Sequence, residues 1–149
     1  FRRMLEETGM SIQLEVEMIA WAHELEMLTC PYVFDEDTAT RFTEAGADVV
    51  VAHVNTTVGG SIGVTAAAMP LDEAVDRVQA MHDAAKQVNP DVLVLCHGGP
   101  IARPEDAQYV LERTRGVAGF FGASSIERLA TEPAIEEQTR RFKALRFNA

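Results

Sequence analysis

The sequence predicts an α/β domain built from parallel strand–helix units. Three observations carry this reading. A leading helix is followed by four alternations of a short apolar strand and a helix, the central strands are apolar on both faces, and no hairpin signal joins any two of them. Such an order requires right-handed crossovers.

The first helix is expected from Ser11, a candidate N-cap, towards Met27, with Leu14, Met18, Trp21 and Leu25 as its apolar stripe. Tyr32-Val33-Phe34 follows Pro31 and reads as a strand, since proline is tolerated at a strand's first residue. Asp35 caps a helix that runs to Ala45 and stops at Gly46. Asp48 to His53 is the second strand. Residues 54–69 show neither period and read as a long loop, with Gly59, Gly60 and Gly63 as candidate hinges for closure over a ligand.

From Pro70 the series Leu71, Val75, Val78, Met81, Ala85, Val88 gives the cleanest helical stripe, ended by Asn89-Pro90. Val92 to Cys96 is the third strand and ends in His97-Gly98-Gly99-Pro100. A helix over Pro104 to Gly116 turns Ala107, Val110 and Leu111 inward, and Val117 to Phe121 is the fourth strand. Ser124 and Glu127 have capping-box spacing, so a helix is expected to start there, followed by a last one carrying Ile135, Phe142 and Leu145.

At 149 residues and 47% hydrophobic, the chain suits one domain with a substantial core. Its 13 basic and 23 acidic residues give a net charge of −10, which argues against nucleic acid and anionic lipid as partners. Neither cysteine, Cys30 or Cys96, sits in a metal or redox spacing, and no window is long and apolar enough for a membrane helix. A cytoplasmic protein is expected, and the missing initiator Met suggests a fragment, residues 1–149 forming a partial domain.

Ligands of parallel α/β sheets gather at the carboxyl ends of the strands. That rule brings His53 and Asn55, then His97, Gly98 and Gly99, then Gly122, Ser124 and Ser125 to one rim, with Asp35 beside them. An imidazole at a strand end can move a proton near neutral pH, which makes His53 and His97 the candidate catalytic residues. Asn55, Gly98, Gly99, Gly122, Ser124 and Ser125 are the candidate substrate-binding residues, because small residues before a helix let backbone N–H groups approach an anion. His23 and His82 lie among polar neighbours and read as surface. Cys96 reads as a packing residue. No metal ligand set is legible, and Glu6, Glu7, Glu15 and Glu17 read as solvated helix charge.

Several segments resemble the phosphoenolpyruvate hydrolase-like family of TIM-barrel proteins, grouped with the phosphoenolpyruvate mutase and isocitrate lyase superfamily. They are Leu5-Glu6-Glu7-Thr8-Gly9-Met10, Pro31 to Asp35, Glu44 to Asp48, Val94 to Ile101 and Gly119 to Ser125. The resemblance implies the C-terminal half of a (β/α)8 barrel, about four strands with helices outside. It also implies chemistry on a phosphoenolpyruvate- or phosphonopyruvate-like acid or another 2-oxo acid, assisted by Mg2+ whose acidic ligands would come from the other half. The full-length protein would then be a homo-oligomer acting on a small anionic substrate, and the isolated half would lack turnover. Two rivals are a non-catalytic barrel serving as an anion sensor or interaction module, and a small flavodoxin-like open sheet complete in itself.

Overall fold

The structure is a computed structural model that describes residues 2–63 and 69–146. Its elements in chain order are α1 (Arg2–Glu7), α2 (Ile12–Glu24), β1 (Tyr32–Val33), α3 (Glu36–Glu44), β2 (Val49–His53) and α4 (Leu71–Val88). These are followed by β3 (Leu93–His97), α5 (Pro104–Arg113), β4 (Gly119–Phe120), α6 (Ser124–Glu127) and α7 (Thr131–Lys143). Residues 64–68 of the expected loop lie outside the described residues.

The four strands form one parallel sheet in the order β1-β2-β3-β4. Sequential order decides between the expected architectures. A doubly wound sheet reverses its strand order to place helices on both faces, whereas an unbroken parallel run with right-handed crossovers keeps them on one face. The fold is therefore that of half a (β/α)8 barrel, not a flavodoxin-like sheet.

Burial follows the pleat. Val33, Val50, Ala52, Val94 and Cys96 point to the helices and are fully buried, joined there by Phe42 of α3, by Val78 and Met81 of α4 and by Val110 of α5. Each large aliphatic side chain sequestered this way contributes roughly 1.5–3 kcal/mol. The alternate residues stand on the opposite face, where Val51 and His97 are buried too but Leu93 keeps 51% of its surface exposed, Phe34 45% and Tyr32 37%. Of the expected α4 stripe, Val78, Met81 and Ala85 are buried, Leu71 and Val75 are half-buried and Val88 is exposed, with Ala74 completing the buried face. Asp35 caps α3 by accepting the Thr38 N–H at 2.8 Å.

Four expectations are corrected. In α2 the core face is Ile12, Val16 and Ile19, whereas Leu14, Met18, Trp21 and Leu25 are exposed. The helix carries two apolar stripes of equal spacing, so periodicity could not choose between them. Ser124 is the first residue of α6 rather than its cap, which is Ala123 with no side-chain hydrogen bond. The last helix carries Ile135 and Phe142 but ends at Lys143, before Leu145, and all three side chains are exposed. His82 is buried, with Nδ1 2.8 Å from Asp83 Oδ1, because α4 presses that face against the turn at Gly116; His23 is exposed as expected.

Candidate active site

β2 and β3 each end in a histidine, and the parallel register sets His53 directly beside His97. Both stand on the face opposite Val50, Ala52, Val94 and Cys96, and their ring centroids are 4.9 Å apart. The flanking strands wall them with aromatic rings. Tyr32 stacks on His97 at 5.1 Å and meets His53 edge-on at 5.1 Å, Phe34 lies 5.1 Å from His53, and Phe121 meets His97 edge-on at 5.9 Å.

The backbone fixes the two rings in opposite ways. His97 Nδ1 lies 2.6 Å from the Phe121 carbonyl, which can only accept, so Nδ1 carries the proton and Nε2 keeps its lone pair in the neutral ring. His53 Nδ1 instead accepts the Asn55 N–H at 3.2 Å, so its proton sits on Nε2. One ring thus offers a hydrogen-bond donor and the other an acceptor. Burial, with the neighbouring His97 second, holds the His53 pKa below the ordinary histidine value and favours its neutral form.

Asn55 and the glycine pair are brought to this pair, with their polar groups already engaged. The Gly99 N–H donates to the Asn55 carbonyl at 2.6 Å, and the Asn55 side-chain oxygen accepts the Thr56 N–H at 2.8 Å. A Cβ on Gly98 would stand 2.4 Å from the Asn55 oxygen and one on Gly99 2.5 Å from the Val54 oxygen. With φ of +80° and +55°, these two glycines let the loops after β2 and β3 touch backbone to backbone. The close approach that these glycines permit here is thus between the two loops.

Gly122, Ser124 and Ser125 stand further along the rim. A Cβ on Gly122 would be 2.4 Å from Ile126 Cδ1, so packing accounts for that glycine. With only four residues, α6 supplies a weaker dipole than the sequence reading assumed. Ser125 Oγ is buried without a hydrogen-bond partner, and Ser125 lines a cleft of about 720 Å3 that also takes in Gly59, Pro100, Arg103 and Leu129 but neither histidine. The described start of the long loop is fastened rather than free: the Val58 N–H donates to Gly99, Arg128 donates to the Gly59 carbonyl, and Glu132 accepts the Ser61 N–H.

The sequence reading missed Tyr32, Phe34 and Phe121 as the wall of the histidine pair. Their signal was present, since Tyr32 and Phe34 alternate with the buried Val33 and Phe121 directly precedes the rim glycine. Among the described residues there is no group of three or more His, Cys, Asp or Glu side chains that could hold a metal. Mg2+ takes oxygen ligands, and the described residues of this half do not group acidic ones into a site for it.

Comparison with known sequences agrees with the architecture. The profile described as phosphoenolpyruvate hydrolase-like matches residues 1–145. The chain belongs to this family. Two relatives from Solanum lycopersicum, ToMV susceptible protein tm-1(GCR26) and ToMV resistance protein Tm-1(GCR237), are 55% and 54% identical over 145 residues. That alignment covers 97% of this chain and 19% of each relative. A Sinorhizobium fredii protein, y4pA, whose name proposes a transcriptional regulatory role, is 29% identical over 145 residues, 97% of this chain and 24% of its own. This member of the phosphoenolpyruvate hydrolase-like family therefore spans about a fifth to a quarter of the length of these curated relatives. No helix among the described residues is long and apolar enough to cross a membrane.

Proposed function

We propose that this chain supplies the proton-handling rim of a (β/α)8-barrel enzyme acting on a small 2-oxo acid or its enol phosphate, of the phosphonopyruvate or phosphoenolpyruvate type. The observation that carries this is the opposite tautomeric setting of His53 and His97. Moving a proton next to a carbonyl needs a base at the carbon and a donor at the oxygen. His97 Nε2, with its lone pair, takes the proton from the carbon beside the carbonyl, and the N–H of neutral His53 stabilises the enolate oxygen. Tyr32, Phe34 and Phe121 exclude water from one side, which strengthens both interactions. The acid's anionic end is assigned to the rim turns at Gly98 and Gly99 and at Gly122, Ser124 and Ser125, of which the first lies against His53, a Cβ on Gly98 standing 3.5 Å from its Cε1. No step is routed through Mg2+.

The open inner face supports the view that residues 1–149 work as half of a barrel, because exposed Leu93, Tyr32 and Phe34 form an apolar surface that a closed barrel would cover. A cytoplasmic, homo-oligomeric full-length protein fits this reading. The second reading is an anion sensor or interaction module, supported by the regulatory name of y4pA and the virus-response names of the tomato relatives. The experiment is to follow, by proton NMR in heavy water, turnover of pyruvate and phosphonopyruvate as exchange at the carbon beside the carbonyl, with the complete protein and its His97→Gln variant. Turnover lost in the variant supports the enzyme. Binding of both acids without turnover supports the sensor.

A further inference from the structure

We propose that Asn55 is a positioning residue for His53 and that it acts through its backbone. The proposal deepens the acid–base reading of the histidine pair and rests on it for its functional meaning. Asn55 has φ 106°, a region that non-glycine residues rarely occupy and asparagine tolerates better than most. With this φ the residue, two past His53, directs its N–H to His53 Nδ1 and its carbonyl to the Gly99 N–H at the same time. That single bond places the ring proton on Nε2, where the proposed donor role needs it. On its other side the Asn55 carbonyl accepts the Gly99 N–H, two residues past His97. Its side chain closes the turn locally through the Thr56 N–H. One residue thus links the ring of His53 to the turn that follows its partner histidine. A substituent on Gly98 would strike the same carbonyl, which leaves the Asn55 peptide little freedom to rotate.

The test reads the tautomer directly, by long-range proton–nitrogen correlation of the histidine rings at and above neutral pH in the complete protein. The native protein should show His53 with an unprotonated Nδ1 and His97 with a protonated one. Asn55→Gly, which accepts positive φ and keeps the N–H, should preserve that pattern. Asn55→Ala, which disfavours positive φ, should give His53 a mixture of tautomers while His97 keeps its own. A His53 pattern in Asn55→Ala identical to the native one, or loss of the pattern in Asn55→Gly, overturns the proposal. If circular dichroism shows the alanine variant unfolded, the glycine variant decides alone. Because the readout needs no substrate, a native pattern in a protein without turnover leaves the positioning role standing and removes only the enzymatic reading. Turnover with a protonated His53 Nδ1 does the reverse.

Discussion

His53 and His97 stand side by side in register across the β2–β3 ladder, ring centroids 4.9 Å apart, with the Nδ1 of the first accepting a hydrogen bond and the Nδ1 of the second donating one. Two chemically identical side chains thereby become a donor and an acceptor. The difference comes entirely from which backbone group each Nδ1 meets.

The lowered His53 pKa predicts a pH dependence of stability. The unfolded chain takes up a proton near pH 6.5 that the folded chain resists, so stability should fall as pH drops below about 6.5 and level off below the folded value. His53→Gln should flatten this slope. Urea unfolding at several pH values checks it, and an unchanged slope in the variant would show that His53 is not the group concerned.

Gly98→Ala should destabilise the protein by roughly 2 kcal/mol or more, since it adds left-handed strain to a contact with the Asn55 carbonyl. Denaturant midpoints measure this. A neutral result would mean that the loops after β2 and β3 are not held in contact.

Val94→Asp should cost on the order of 4 kcal/mol, because Val94 is fully buried between β3 and the helices and a carboxylate finds no partner there. An unchanged melting temperature would contradict the assignment of the core face.

Thiol chemistry should separate the two cysteines. Burial pushes the Cys96 thiol up to about 11, and its side chain is inaccessible, whereas Cys30 is exposed. Iodoacetamide should label Cys30 in the native chain and Cys96 only after unfolding. Native labelling of Cys96 would place β3 at the surface.

The fold was largely legible because doubly apolar runs ending in rim residues are a strong parallel-sheet signal. The histidines were legible for the same reason, each closing such a run. Their tautomers were not, because those depend on the Phe121 carbonyl, 24 residues from His97, and on the backbone of Asn55. The face of α2 was misread because Ile12, Val16 and Ile19 repeat with the same spacing as the bulkier Leu14, Met18, Trp21 and Leu25. Only the packing against α3 and the sheet selects between those stripes. The loop-to-loop contact at Gly98 and Gly99 is not legible in the sequence, because a glycine pair permits any close backbone approach, whatever approaches.

In the proposed chemistry His97 Nε2 removes a proton from carbon while His53 steadies the resulting enolate oxygen. Deuterium exchange at the methyl group of pyruvate in heavy water, catalysed by the complete protein, measures that step alone. Exchange should be detectable in the native protein, reduced about 100-fold or more in His97→Gln, and reduced in His53→Phe, which removes the donor. Exchange that persists undiminished in His97→Gln, or its complete absence from the native protein, would contradict the account.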